Sequence, residues 1–212
     1  FSNDITEFEG VCQAVNNQEV VFHLAALIGI PYSFEHPWEV LQVNTMGTLN
    51  VLSAARQAGL RRVVLTSTSE VYGTAREVPI DESHPLQAQS PYAASKIAAD
   101  KLGESFFHSY GLPVVTVRPF NTYGPRQSTR AVIPALITQM LAGETVRLGA
   151  TTPTRDFNFV KDTVSGFIKA AEAPDAALGE AINLATGKEI SIGDLAARLA
   201  GLIGKEVDLQ TD

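Results

Sequence analysis

The chain has one cysteine, Cys12, among its 212 residues. No intrachain disulfide is therefore available, which agrees with a reducing compartment. It has no basic run, and its formal net charge is −7. Both features argue against nucleic acid or an anionic membrane surface as the main partner, although a few arginines are enough to hold an anionic ligand locally. Long hydrophobic runs are also missing. The longest, Val20 to Ile30, is broken by His23 and is too short to span a bilayer. It lacks the basic flank and N-terminal position of a signal peptide, so a cytoplasmic protein is expected. There is no internal repeat, no low-complexity segment and no linker. No metal site is assigned. The length suffices for one sizeable domain with a real core.

What is present is an alternation of apolar runs and helical patterns. Val20 to Ala25, Arg62 to Thr66 and Pro113 to Val117 read as buried strands. Short strands are expected near Val146–Leu148, Asp156–Val160 and Ala181–Leu184. Helices are expected at about Phe8–Asn16, Pro37–Gly59, Pro91–Tyr110, Val132–Leu141, Asp162–Ala173 and Ile192–Ile203. Pro37 suits a first turn, and Gly59, Gly111 and Gly143 suit C-terminal stops. Asp162 and Ser191 are read as N-caps. This pattern is α/β, with a doubly wound parallel sheet covered on both faces. In such sheets ligands sit beyond the carboxyl ends of the strands. Ser67–Gly73, His23–Ala26 and Arg118–Asn121 are all strand ends, and they are expected to meet at one crevice.

Two of the stretches near that crevice carry chemistry. S-T-S-E-V-Y-G, Ser67 to Gly73, places an acid and alcohols at a strand end. S-P-Y-A-A-S-K, Ser90 to Lys96, puts Tyr92 and Lys96 four apart on one helix face. An ammonium beside a phenol favours the phenolate, and a tyrosine tuned this way acts as a base near neutral pH. Taken alone, Y-x-x-x-K reads as an amphipathic helix with a surface lysine. Its position about 20 residues after a strand end bearing Ser67, Thr68, Ser69 and Glu70 changes that.

Together with H-L-A-A (His23–Ala26), V-N-T-M-G-T (Val43–Thr48), R-P-F-N-T-Y-G-P-R (Arg118–Arg126) and R-D-F-N-F-V-K-D (Arg155–Asp162), these stretches resemble the extended short-chain dehydrogenase/reductase family. The nearest likeness is to its nucleotide-sugar epimerases and dehydratases. The motifs occur in family order over nearly the whole chain. The fold this implies is Rossmann-like, with a small C-terminal substrate-binding part. Residues 1–125 and 156–185 would form the dinucleotide-binding domain. Residues 126–155 and 186–212 would form the substrate part, incomplete at its C-terminus. Thr68-Ser69-Glu70 is similar to the sugar 4,6-dehydratase version of the motif, of the GDP-mannose or nucleotide-hexosamine type. UDP-glucuronate decarboxylases carry the same three residues, whereas 4-epimerases usually have a small residue where Glu70 stands.

The resemblance implies a mechanism. Tyr92, assisted by Lys96, takes the proton from the sugar 4-hydroxyl while hydride passes from C4 to a nicotinamide. Thr68 steadies the 4-oxygen. Glu70 removes the C5 proton, and water leaves from C6. Ser69 stands where many relatives have a proton-donating aspartate. Either Glu70 acts as base and then acid, or Ser69 relays a proton. Hydride returns to C6, giving a 4-keto-6-deoxy sugar. The rivals are a 4-epimerase, a UDP-glucuronate decarboxylase and a non-catalytic nucleotide-sugar-binding domain.

Further residues take roles by the same resemblance. Asp4 and Ile5 match an adenine-contacting position. Leu24, Ala25 and Ala26 leave room for the cofactor backbone. Asn44 and Ser67 help shape the nicotinamide end or bond backbone groups. Pro119 completes the cofactor set. Asn121, Arg126 and Arg155 are candidates for the diphosphate and nucleotide, because a guanidinium fork suits phosphate. Tyr123 is either structural or part of the sugar site, and His23 is read as structural. Trp38 and Met46 are read as packing. In relatives the Pro37–Gly59 and Pro91–Tyr110 helices form a dimer interface, so a homodimer is expected.

The family's glycine-rich G-x-x-G-x-x-G loop, which holds a cofactor diphosphate at a helix N-terminus, does not occur in this sequence. The first residue is Phe1 rather than Met. The expectation is that the first strand, first helix and second strand are missing, and that sugar-binding residues beyond a strand near Glu206–Leu209 are missing too. The second strand normally decides NAD against NADP, so NAD is expected with NADP as its alternative. A true fragment of this kind would be unstable or aggregation-prone through its exposed sheet edge.

Overall fold

The computed structural model describes residues 3–143, 145–205 and 208–211. In chain order the elements are α1 (Phe8–Val15), β1 (Val20–His23), α2 (Ile30–Glu35), α3 (Pro37–Leu41), α4 (Gly47–Ala58), β2 (Arg62–Thr66), α5 (Pro91–Tyr110), β3 (Val114–Pro119), β4 (Asn121–Tyr123), α6 (Val132–Ala142), β5 (Val146–Leu148), β6 (Thr154–Phe159), α7 (Val160–Ala171), β7 (Ala181–Leu184), β8 (Glu189–Ser191), α8 (Ile192–Ile203) and β9 (Leu209–Thr211). The chain divides into two compact units. One runs to Pro119 and takes in Val164–Leu184; the other holds Phe120–Thr163 and the chain from Ala185 on.

The first unit is built on a four-stranded parallel sheet in the order β1-β2-β3-β7. Its central strands β2 and β3 are buried along nearly their whole length, because successive side chains point to opposite faces and both faces are covered. Val63, Leu65 and Val114 pack under α1, α4 and α5, against Val11, Leu52, Ala55 and Phe106. Val64, Val115 and Val117 point the other way and pack against Phe167, Ala170 and Ala171 of α7. Each such fully buried aliphatic side chain contributes about 1.5–3 kcal/mol. The α5 backbone approaches the sheet closely at Gly103, where a Cβ would stand 2.6 Å from Leu65 Cδ1. A side chain there would force the buried Leu65 to move.

β1 is an edge strand, and its outer side has no strand partner among the described residues. Phe22, in its middle, is 43% exposed. The strand ends at His23, two residues earlier than the apolar run suggests, so Leu24 and Ala25 continue into an exposed loop. The run from Pro37 to Gly59 is helical throughout, yet its middle, Gln42–Met46, is a π-turn. Such turns are rare, and they are frequently found at functional sites. Gly59 closes the helix in the left-handed conformation, φ 66°.

In the second unit, β4, β6 and β8 form a small sheet, and β5 pairs with β9. A core of Leu136, Met140, Val146, Leu195 and Ala196 joins α6 to α8. The sequence misses α2, β4 and β8, each six residues or fewer and too short for periodicity to declare. Asp162 lies in the first turn of α7 and is not its cap, because the helix begins at Val160. Ser191 does cap α8, accepting from the Asp194 amide at 3.0 Å. Of the strand expected near Glu206–Leu209, Glu206 and Val207 lie outside the described residues; the strand observed is β9.

Candidate active site

The carboxyl end of β2 turns sharply into a single 3-10 turn, Ser69–Tyr72. Thr68 caps it, with Oγ1 accepting from the Glu70 amide at 3.2 Å. Val71 and Tyr72 are fully buried and anchor the turn. The Val71 carbonyl also accepts from the Gln87 amide at 2.8 Å. Thr68, Ser69 and Glu70 are left half-buried, facing the N-terminal turn of α5. The two apolar anchors explain how an acid and two hydroxyls are held at a strand end without being folded into the core.

Ser90 caps α5, accepting from the Ala93 amide at 3.0 Å, and Pro91 opens the helix. Tyr92 is therefore in the first turn of a 20-residue helix, where the helix dipole favours a negative charge. It is 9% exposed. Burial raises its pKa above the ordinary phenol value; the Thr68 hydroxyl opposes this, and the charges of Glu70 and Asp100 add to it. Lys96 is 5% exposed, and burial lowers its pKa to about 8 against the pull of Asp100. Its Nζ donates to the Thr66 carbonyl at the end of β2. The simple expectation of an ammonium resting on the phenol thus needs correction. The ammonium is tied to backbone, and the Thr68 hydroxyl is what lowers the Tyr92 pKa, with the helix dipole acting in the same direction.

Asn44 sits in the π-turn and is 1% exposed. Its Oδ1 accepts from the Leu27 amide at 2.8 Å, while Nδ2 donates to the Leu27 carbonyl and to the Ser95 hydroxyl, both at 2.9 Å. Ser95 in turn donates to the Tyr92 carbonyl at 2.7 Å. Asn44 thereby joins the loop after β1 to the first turn of α5. Thr48 spends its one proton on the Asn44 carbonyl at 2.6 Å. His23 Nε2, 2.9 Å from the Thr48 hydroxyl, must therefore be the donor there. Burial, and then the Lys96 charge, lower the His23 pKa to about 4. It is a neutral, structural histidine.

The remaining candidates in this unit gather elsewhere. Asp4, Ile5, Leu24 and Ala25 line a groove of about 390 Å³ along the open edge of β1. Asp4 accepts from the Thr6 amide and hydroxyl at 2.8 Å, a local turn that lowers its pKa. Ala26, in the loop after β1, and Pro119, at the end of β3, are half-buried. Ser67 is 3% exposed, and its hydroxyl has no hydrogen-bond partner within bonding distance, though it faces Asp100. An unpartnered buried hydroxyl at a strand end fits a site that closes on a ligand. Small exposed residues beside the groove, with Tyr92, Lys96 and Ser67 at the neighbouring strand end, fit one side of a dinucleotide. The glycine loop that would hold its diphosphate is not in this sequence.

In the second unit, Asn121 on β4 pairs in register with Phe157 on β6, which places Arg155 on the same sheet face. Asn121 Nδ2 donates to the Asp156 carbonyl at 3.4 Å. Arg155 is exposed and donates to the Thr154 carbonyl at 2.8 Å. Arg126 is exposed with φ 70°, a strained conformation for a residue with a side chain. Among the described residues neither arginine has a carboxylate partner, so the surface salt bridge that would explain them blandly is not formed. Tyr123 packs on Phe157 and Phe159, with centroids 6.4 and 5.7 Å apart, which makes the ring part of an aromatic cluster.

Sequence reasoning did not single out Tyr72, Ser95, Asp100 or the side chain of Arg118, all buried around this site. The i, i+4, i+8 spacing of Tyr92, Lys96 and Asp100 was the available signal. Among the described residues no group of three or more His, Cys, Asp or Glu side chains is arranged to hold a metal ion. No helix among them is long and apolar enough to cross a membrane.

Comparison with known proteins places this geometry. A family model described as GDP-mannose 4,6 dehydratase matches residues 1–212. The chain is 38% identical over 191 residues to UDP-glucose 4-epimerase of Mycolicibacterium smegmatis, covering 88% of this chain and 60% of that protein. It is 35% identical over 195 residues to human dTDP-D-glucose 4,6-dehydratase, covering 92% of this chain and 55% of that one. The chain thus spans little more than half the length of these curated relatives. Among solved structures, DesIV, a dTDP-glucose 4,6-dehydratase from Streptomyces venezuelae solved with NAD bound, superposes with a TM-score of 0.91 at 29% identity. That match covers 99% of this chain and 66% of DesIV. The α/β fold with its parallel sheet is the Rossmann-like fold of those enzymes, and the chain belongs to the GDP-mannose 4,6-dehydratase family within the NAD-dependent epimerase/dehydratase superfamily.

Proposed function

We propose that this chain is the larger part of a nucleotide-sugar 4,6-dehydratase, converting an NDP-hexose to an NDP-4-keto-6-deoxyhexose. The observation that carries the reading is the position of Glu70, held beside Tyr92 by the turn that Thr68 caps. Oxidation at C4 needs only the tyrosine and its neighbours. A second, half-buried carboxylate within electrostatic reach of the phenol is what elimination across C5 and C6 requires.

A bound nicotinamide ring, NAD or NADP, would take hydride from C4 and return it at C6. The chain's own residues do the rest. Tyr92 takes the proton from the 4-hydroxyl, and the Thr68 hydroxyl holds the resulting carbonyl oxygen. The ketone acidifies C5–H, and Glu70 removes that proton. Glu70 then gives it to the departing C6 hydroxyl, which leaves as water. The proton stored on Tyr92 returns to C5, so the atoms balance. Ser69 is too weak an acid to protonate the leaving group itself. Asp4, Ile5, Leu24, Ala25, Ala26, Asn44, Ser67 and Pro119 are assigned to the cofactor side. Asn121, Arg126 and Arg155 are assigned to the diphosphate and nucleotide.

Product analysis tests this reading on the protein at its natural length. Turnover of GDP-, UDP- and dTDP-hexoses should give a 4-keto-6-deoxy sugar. An inverted sugar with no loss of water overturns the reading in favour of a 4-epimerase, the activity of the relative 38% identical to this chain. Carbon dioxide and a pentose from UDP-glucuronate overturn it in favour of the decarboxylase. A homodimer through α3, the π-turn, α4 and α5 belongs to the same proposal. Trp38, Leu41 and Met46 are 80%, 40% and 50% exposed along that run. Ala94, Ile97 and Ala98 are half-exposed on α5.

A further inference from the structure

Tyr92, Lys96 and Asp100 recur every four residues on α5, so one helix face carries a phenol, an ammonium and a carboxylate in succession. Asp100 is 6% exposed, nearly as buried as Lys96. The reaction above makes no use of it, yet a carboxylate is not buried without matching charge. Part of the match is Arg118 on β3, whose Nε donates to Asp100 Oδ2 at 3.0 Å and whose Nη2 forms an ion pair with the same oxygen at 3.0 Å. Arg118 is held from behind. Its Nη1 donates to the Tyr72 hydroxyl at 2.9 Å, and that hydroxyl donates to Asn183 Oδ1 at 2.7 Å. Tyr72 ends the turn that carries Glu70. The chain Asp100–Arg118–Tyr72–Asn183 thus ties α5, β3, the Glu70 turn and β7 together.

We propose that Asp100 is a positioning residue for Lys96: clamped by Arg118 on one side, its carboxylate supplies the counter-charge that keeps the buried ammonium at the end of β2, one helical turn along α5 from Tyr92. The proposal rests on the reading of Tyr92 and Lys96 as the proton-transfer pair. The charges support it. Arg118 and Lys96 share the one carboxylate, so the cluster keeps a net positive charge that can match a phenolate as it forms. The other groups facing Lys96 do not supply a counter-charge. His23 on β1 is neutral, Thr66 on β2 offers only its carbonyl, and Glu70 in the 3-10 turn acts on Tyr92. Burial drives the ammonium toward losing its proton, and Asp100 is the one group that opposes this. Burial also pushes the Asp100 carboxyl up, against Arg118, Ser67 and Lys96. The Arg118 guanidinium against Oδ2 favours the ionised form.

The test follows the lysines directly and does not depend on turnover. The full chain is labelled with 13C at lysine Cε, and its six lysines are titrated by NMR, with Lys96→Arg assigning the Lys96 signal. In the native protein Lys96 is expected to titrate about two units below the others. In Asp100→Asn its midpoint is expected to fall by at least about one further unit, and Asp100→Glu is expected to restore it. A folded Asp100→Asn protein with an unmoved Lys96 midpoint overturns the proposal. Should that variant not fold, the native protein carries the test through its carboxyl carbons. The Asp100 Cγ signal is expected to inflect at the Lys96 midpoint, and a flat signal there overturns the proposal. Failure of the dehydratase reading shows in the product, whereas failure of this one shows in the titration, so the two are distinguishable.

Discussion

Asn44 donates to the Ser95 hydroxyl at 2.9 Å, and with the same amide nitrogen to the Leu27 carbonyl. One side chain therefore holds both the loop after β1 and the helix bearing Tyr92. The π-turn at Gln42–Met46 makes this reach possible, because its extra residue per turn re-aims a side chain that a regular helix would place elsewhere. Replacing Asn44 with Ala leaves the part-buried Leu27 amide and carbonyl without this partner and takes one of two bonds from the Ser95 hydroxyl. The expected loss is about 2–4 kcal/mol of stability, read by urea denaturation. A loss below about 0.5 kcal/mol would show that the three bonds do not hold the loop to α5.

Tyr92 and Glu70 should separate in their kinetic signatures. Tyr92→Phe removes the acceptor of the 4-hydroxyl proton, so oxidation itself should fall by about 10²–10⁴-fold. Single-turnover formation of reduced nicotinamide, followed by absorbance, checks it.

Glu70→Gln keeps the shape of the side chain but not its base. Hydride transfer to the nicotinamide should still start, while elimination falls by about 10²–10⁴-fold. Reduced cofactor should then accumulate on the protein with no 6-deoxy product. Normal turnover by this variant would remove the main support for a dehydratase.

Much of this site was legible in the sequence, for identifiable reasons. The 20-residue α5 is bracketed by Ser90, Pro91 and Gly111, strong local signals that match the observed ends. The strands β2 and β7 are short, mostly apolar segments, and their bounds agree with the expectation. What the sequence withheld were long-range partners. Asp100 reads as one polar residue on a mixed helix until β3 brings Arg118 against it. Lys96 reads as a partner for Tyr92 until the end of β2 takes its ammonium. Asn44 reads as an unfavourable helix residue until the π-turn and Leu27 give it three bonds. Short elements such as α2, β4 and β8 owe their structure to tertiary packing, which no local pattern encodes.

The exposed ring of Trp38 gives the proposed dimer a direct check. A second copy covering Trp38, Leu41 and Met46 would bury an apolar stripe that water otherwise contacts. Trp38→Glu places a charge in that stripe and should shift the protein toward monomer by at least about tenfold in the dimer dissociation constant. Sedimentation velocity over a concentration series measures this, and an unchanged distribution places the dimer contact elsewhere.

His23 should make the fold sensitive to acid in a defined window. Its folded-state pKa is lowered to about 4 by burial and by Lys96, whereas an unfolded histidine titrates near its ordinary value of about 6.5. The unfolded chain therefore binds more protons between those values, and stability falls as pH drops through that window. Above about pH 6.5 the contribution is fully present, and by about pH 4 on the order of 3 kcal/mol of it has been lost. His23→Gln retains an N–H donor for the Thr48 hydroxyl without a titrating group. Urea midpoints at about pH 7.5 and about pH 5 should differ clearly in the native chain and much less in this variant. Equal differences in the two proteins would mean that other groups, and not His23, set the acid limit of the fold.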